Sequence, residues 1–249
     1  MDKKIRVAAV SYLNTKPLIY GFEHGMMKDE VELLFDYPAR VAEMLLNDEA
    51  DIGLVPVAII PQLKEYYLIS DYCIGAVNPV ASVCLFSDVP VNDIHEILLD
   101  YQSRTSAALL RILLKEYWSV YPVLTNTSEG YLQMIKGSTA GLIIGDRALI
   151  QRNRSAYVYD LAEAWQQMTG LPFVFAAWVA NKKLPDTVIN SFNIATGEGL
   201  NHLDEIVAAN HFDDYDLYAY YTKNIDYKFD ENKKQAMDIF LEKISFLDP

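Results

Sequence analysis

The chain has 249 residues, of which 51% are hydrophobic and 22% charged, enough apolar content for one large core or two smaller ones and too little charge for a disordered chain. The formal net charge is -13, and basic doublets such as Lys182–Lys183 and Lys233–Lys234 are isolated, which excludes the basic face of a nucleic-acid binder. The global field repels anions, so an anionic ligand needs local donors: backbone N–H groups, hydroxyls, a helix N-terminus or a placed Arg.

The chain enters a strand almost at once. Ile5–Val10 is a short apolar run, Ser11–Lys16 a polar turn, and Pro17 suits the first turn of the helix that follows. Val31–Tyr37 reads as a second strand, and Pro38 opens a helix over Ala39–Leu46. Ala50–Val57 is a third strand, apolar throughout apart from Asp51. Buried strands alternating with helices predict a parallel sheet covered on both faces. Tyr67–Ala76, Ala81–Ser87 and Ile94–Leu99 are further strands.

Residues 103–117 form a helix with Leu109, Ile112, Leu113 and Tyr117 on one face. A strand at Tyr121–Thr125, a helix at Gly130–Lys136 and a strand at Thr139–Ile144 complete a second α/β set. Phe173–Val179 is again a buried strand. From Pro185 onward the chain reads as mainly helical, with Phe229 and Phe240 docking this tail on the first lobe. Chain crossings near 84–90 and 172–180 predict two lobes: residues 1–87 with 178–249, and residues 88–177. A single doubly wound sheet is the alternative.

Four polar segments stand where chemistry can occur. Ser11–Tyr12–Leu13–Asn14–Thr15 follows the first strand, where open α/β sheets present ligand loops. The helix behind it directs N–H groups and a partial positive charge at the same space. One of these side chains can instead cap that helix. Ser103–Arg104–Thr105–Ser106 repeats the arrangement in the second set, with Arg104 able to pair with a carboxylate or to face solvent. In Gly145–Asp146–Arg147, Asp146 can act as an acid or base, cap the next helix or pair with Arg147. Asn78–Ser82 enters a crossing strand and could turn Ser82 toward the cleft.

Other chemistries find little support. His24, His95, His202 and His211 share no metal spacing, and the nucleotide-binding and nucleophile-elbow motifs are absent. Cys73 and Cys84 sit in apolar runs and read as buried free thiols. The Tyr215–Tyr221 cluster reads as packing. No leader or membrane span is apparent, so a cytoplasmic protein is expected.

The blocks VSYLNTKPL (10–18), DIGLVPVAII (51–60), LDYQSRTSAALLRILL (99–114), LIIGDRAL (142–149) and YDLAEAWQQMTGLPFVFAAWV (159–179) resemble the menaquinone-biosynthesis family MqnA. The likeness spans nearly the whole chain. The sister family MqnD shares the fold but carries a different first loop. The resemblance implies an α/β, two-lobed type 2 periplasmic-binding-protein-like fold with a ligand cleft between the lobes. It implies a hydro-lyase of the futalosine pathway that converts chorismate to 3-[(1-carboxyvinyl)oxy]benzoate and water without a metal or organic cofactor. A non-catalytic small-carboxylate receptor or sensor on the same fold is the other reading.

Under the resemblance, Asn14 is the catalytic candidate. Ser11, Tyr12, Thr15, Ser82, Ser103, Arg104, Thr105, Ser106, Gly145 and Asp146 are the substrate-binding set. An amide is no base, so Asn14 would orient the enolpyruvyl arm or hydrogen-bond the leaving hydroxyl. The substrate's own enolpyruvyl carboxylate would take the proton, with Asp146 as the competing base. Chorismate is the expected small-molecule partner, with neither nucleic acid nor membrane, and a homodimer is left open.

Overall fold

A computed structural model describes residues 4–247. The elements in chain order are β1 (Ile5–Val10), α1 (Lys16–Glu23), β2 (Val31–Asp36), α2 (Pro38–Leu46), β3 (Ile52–Pro56), β4 (Tyr67–Ala76), β5 (Val83–Ser87), β6 (Glu96–Leu99), α3 (Thr105–Leu113), β7 (Val123–Asn126), β8 (Thr139–Ile144), α4 (Asp146–Gln151), β9 (Tyr157–Asp160), α5 (Leu161–Thr169), β10 (Phe173–Ala180), α6 (Asp186–Glu198), α7 (Leu203–Ala209), α8 (Leu217–Ala219), β11 (Asp226–Lys228) and α9 (Glu231–Ile244).

They build two sheets rather than a single doubly wound one. The first has the order β11-β4-β10-β3-β1-β2 and the second β7-β6-β8-β5-β9. The predicted parallel pairing is found for β1 with β2 and β3, and for β6 with β7 and β8. β10 runs antiparallel to β3 and β4, and β5 antiparallel to β8 and β9. These exceptions have a topological cause. β5 and β10 are the first strands after each crossing between lobes, so no helical crossover within one sheet sets their direction.

The crossings lie at residues 77–82 and 170–172, between β4 and β5 and between α5 and β10. This shifts strands relative to the boundaries expected from sequence. Val83–Ser87 pairs in the second sheet, and Phe173–Ala177 already belongs to the first. An apolar strand carries no mark of which sheet it joins, so composition could not locate the change.

Most expected elements are present, with differences at their ends. All residues of β3 and β10 are buried, in keeping with their apolar runs. The 103–117 helix is α-helical only over Thr105–Leu113, continues as a wider turn over Leu114–Trp118, and stops at Ser119 in left-handed conformation. Where a helix was expected at 130–136, only a 3₁₀ turn forms at Tyr131–Met134. Gly130 and Gly137, both with positive φ, bracket this turn and break the right-handed helical path at either end. Phe229 and Phe240 are buried, and Phe240 packs on Phe173 of β10 and Trp165 of α5. Cys73 and Cys84 are buried free thiols, pushed above the ordinary thiol range by burial. No helix among the described residues is long and apolar enough to cross a membrane.

Candidate active site

An interlobe cavity, open to solvent on one side, has about 470 Å³ of atom-free space including its mouth. The first lobe supplies Val10 at the end of β1, then Tyr12, Asn14 and Thr15 in the loop before α1. Pro38, Pro56, Ile74, Phe175 and Ala176 complete this wall. The second lobe supplies Val83, Ser103–Ser106 at the start of α3, and Ile144–Gly145 at the end of β8. The cavity thus lies beyond the carboxyl ends of β1, β3 and β8, with α1 and α3 both beginning at it. Among the described residues, Arg104 is its only charged lining residue, and no lining side chain is acidic.

The first loop owes its shape to both neighbours. α1 packs tightly on α6, where a side chain at Gly21 would approach the Ala195 carbonyl to 2.3 Å. That contact seats the last turn of α1, and at its start a side chain on Gly199 would come within 2.2 Å of the Pro17 carbonyl. Neither Tyr12 nor Thr15 makes a side-chain cap bond at the two turns beginning here. The polar loop is therefore not used up in capping. Thr15 is buried, and its hydroxyl donates to Asn14 Oδ1 at 3.3 Å. The Tyr227 hydroxyl donates to the Asn14 backbone carbonyl at 2.9 Å, and the Tyr220 hydroxyl faces the Asn14 side chain.

Tyr12 crosses the cleft. Its ring lies over Gly145, where an added Cβ would come within 2.6 Å of the ring. Gly145 has φ 66 and ψ -150, a backbone state open essentially to glycine alone. The Tyr12 hydroxyl donates to Gln102 Oε1, which also accepts from Arg147 at 2.7 Å. Burial pushes the Tyr12 phenol well up, so it stays a neutral donor. Gln102 is held in turn by Asp100. That buried carboxylate accepts from the Gln102 N–H at 3.0 Å, the Ile144 N–H at 3.1 Å and Arg147 at 2.8 Å. It ties the ends of β6 and β8 together.

The second loop divides its groups between scaffold and cavity. Ser103 Oγ accepts the Ser106 N–H at 3.1 Å, a helix-capping bond. Thr105 Oγ1 accepts the Ala58 N–H of the other lobe at 3.2 Å. The hydroxyl protons of both remain available to a ligand. Arg104 is half exposed, with its guanidinium 3.8 Å from Glu43.

Three expected site residues do not line the cavity. Ser11 is exposed, because strand alternation turns it away where Val10 points in. Ser82 is wholly buried, its Oγ accepting from Tyr220 at 2.7 Å and its carbonyl from the Gly145 N–H at 2.8 Å. Asp146 lies behind the wall, where its carboxylate accepts the Leu13 N–H at 3.0 Å. It does not pair with Arg147, whose guanidinium is bound to Asp100 and Gln102. Burial raises the Asp146 carboxyl to about 6, against the opposing pull of the Leu13 N–H, Arg147 and Lys16.

Sequence alone does not point to Asp100, Gln102, Phe175 or Tyr227 as parts of the site. Gln102 adjoins Ser103 and could have been grouped with it. Phe175 lies inside a uniformly apolar strand, and Tyr227 is remote in the chain. Among the described residues, no group of three or more His, Cys, Asp or Glu side chains is placed to hold a metal ion.

A family described as "Menaquinone biosynthesis" matches residues 5–245. The chain belongs to this menaquinone biosynthesis family. A chorismate dehydratase of Thermus thermophilus is 29% identical over 218 residues, covering 80% of this chain and 78% of that protein. A structure from Archaeoglobus fulgidus superimposes with TM-score 0.78 at 15% identity, covering 97% of each chain. A Candida albicans protein described as having the generic periplasmic-binding-protein fold superimposes with TM-score 0.62 at 13% identity, covering 99% of this chain and 92% of that one. The menaquinone-biosynthesis chain thus has the two-lobed periplasmic-binding-protein-like architecture, with its cavity between the lobes.

Proposed function

We propose that this menaquinone-biosynthesis protein is a chorismate dehydratase of the futalosine pathway. One observation carries the reading: two helices, one from each lobe, begin at a single apolar cavity that has Asn14 and hydroxyl groups on its walls and no acidic side chain. The -13 net charge makes this local arrangement the natural place for an anion. The likeness to the Thermus thermophilus chorismate dehydratase supplies the substrate.

Chorismate carries two carboxylates on and beside a cyclohexadiene ring. Loss of the C3 proton and the C4 hydroxyl yields 3-[(1-carboxyvinyl)oxy]benzoate and one water. No electrons are exchanged with a partner, and the gain of an aromatic ring drives the elimination. The C3–H bond is conjugated through a ring double bond to the ring carboxylate. Donors at that carboxylate stabilise charge as the proton departs. The α1 and α3 N-termini, Thr105, Ser106 and Arg104 suit the two carboxylates, while Ile74, Phe175 and Ile144 suit the ring faces.

In this reading Asn14 holds the departing hydroxyl or the enolpyruvyl arm. The substrate's enolpyruvyl carboxylate accepts the C3 proton, consistent with a cavity wall that offers neither a carboxylate nor a His. Incubation of the protein with chorismate, followed by mass and aromatic absorbance, tests the assignment. Loss of one water with appearance of an aromatic product is expected. Tight chorismate binding without product would favour a receptor on the same fold.

A further inference from the structure

The Leu13–Asn14 dipeptide is held from two directions. The Asp146 carboxylate, from the second lobe, accepts the Leu13 N–H at 3.0 Å and 3.4 Å to its two oxygens. The Tyr227 hydroxyl, from the C-terminal part of the first lobe, donates to the Asn14 carbonyl at 2.9 Å. The Tyr227 bond lies within one lobe, whereas the Asp146 bond spans the cleft. We propose that Asp146 is a positioning residue that clamps the Leu13 backbone across the cleft, so that Asn14 is aimed into the cavity only in the closed protein.

The surroundings of Asp146 favour this role over its alternatives. Arg147 is bound to Asp100 and Gln102, which leaves Asp146 without that partner. Asp146 is not among the cavity-lining residues, so it does not reach a ligand there as a base. Its direction is fixed on both sides: the Gly145 N–H donates to the Ser82 carbonyl at 2.8 Å, and Arg147 is anchored in the Asp100 network. Tyr12 over Gly145 closes the same seam one residue away. Burial raises the Asp146 carboxyl, so the fold carries a costly acceptor at this point. A carboxylate kept there despite that cost is spent on the cross-lobe bond.

The inference rests on the dehydratase reading, and its test separates the two. In steady-state turnover of chorismate, Asp146→Ala removes the acceptor and is expected to lower kcat at least about tenfold while changing KM by less than about threefold. Asp146→Asn keeps a carbonyl acceptor but cannot serve as a base, and it is expected to restore kcat to within about threefold of the parent. An Asn variant as impaired as the Ala variant would make Asp146 a base or an essential charge, and an unimpaired Ala variant would remove the clamp; either overturns the proposal. Amide hydrogen exchange at Leu13 gives a readout without turnover. It is expected to quicken in Asp146→Ala and not in Asp146→Asn, and equal exchange in the parent and both variants would overturn the clamp even if chorismate proved not to be the substrate.

Discussion

Asn14 lines an apolar cavity, its backbone is anchored by Tyr227, and its amide has the hydroxyls of Thr15 and Tyr220 beside it. An amide so held can bind a departing hydroxyl without itself accepting a proton. Asn14→Ala is therefore expected to lower kcat about a hundredfold, with KM moved by less than about threefold. Chorismate turnover kinetics measure both, and an unchanged kcat would remove Asn14 from the chemistry. Asn14 was legible in the sequence because a polar loop between a buried strand and a Pro-opened helix has only one place to go in an open α/β sheet. Ser11 and Ser82 were not legible in this way. A hydroxyl's direction depends on strand phase for Ser11 and on the distant Tyr220 for Ser82, and neither leaves a local mark.

At the level of elements, the ends of the first sheet opposite the cavity are fixed by Asp51. Its carboxylate accepts the Arg6 N–H at 2.9 Å and pairs with the Arg6 guanidinium at 2.9 Å and with Lys182 at 2.6 Å, joining β1, β3 and the end of β10. Burial opposes ionisation of Asp51, but these bonds outweigh it and hold the carboxyl well below the usual range. A free Asp titrates near about 4. With the folded value below that, the carboxylate stabilises the fold above about pH 4, and the contribution drains away as pH falls further. Asp51→Ala is expected to cost roughly 2 kcal/mol at neutral pH, less than for a fully buried pair because Arg6 and Lys182 are partly solvated. Urea unfolding at pH 7 and pH 3 measures this, and the gap between parent and variant should narrow at the lower pH. A gap of equal size at both would deny the charge its part.

The same level shows where sequence reading reaches its limit. Apolar runs such as β3 and β10 are plain, because burial on both faces demands them. β11 has three residues and pairs with β4 only through tertiary placement of the tail. β9 carries Tyr157, Val158 and Tyr159 without a clean alternation, half on the surface. Sheet membership was similarly hidden. β5 and β10 are as apolar as their neighbours, and only the crossings decide which lobe each strand joins.

At the scale of the molecule, two sheets and a cleft suggest two folding units, yet the packing joins them. One continuous set of buried side chains runs from Leu18 and Val55 in the first lobe to Leu85, Ile97 and Leu109 in the second. Each crossing is pinned to the second lobe by a residue of the β9–α5 unit. The buried Asp160 carboxylate accepts the Val80 N–H at 3.1 Å and the Ala81 N–H at 2.7 Å in the first crossing. Trp165 donates its indole N–H to the Pro172 carbonyl at 3.0 Å in the second. The Trp165 ring then meets Phe173 of β10 at 5.3 Å and Phe240 of α9 at 6.2 Å, so rings from both lobes and from the C-terminal helix share one cluster. Unfolding either lobe alone would expose this cluster and the apolar faces on both sides of it, a loss comparable with the stability of an ordinary domain. Calorimetry of the ligand-free protein is accordingly expected to give one endotherm whose van't Hoff and calorimetric enthalpies agree. Two resolved endotherms would show lobes that fold independently, joined by the crossings alone. Cooperative unfolding would place the freedom needed for ligand entry in the cleft seam of Tyr12, Gly145 and Asp146, where single hydrogen bonds and one ring contact are broken and re-made while the shared core stays intact.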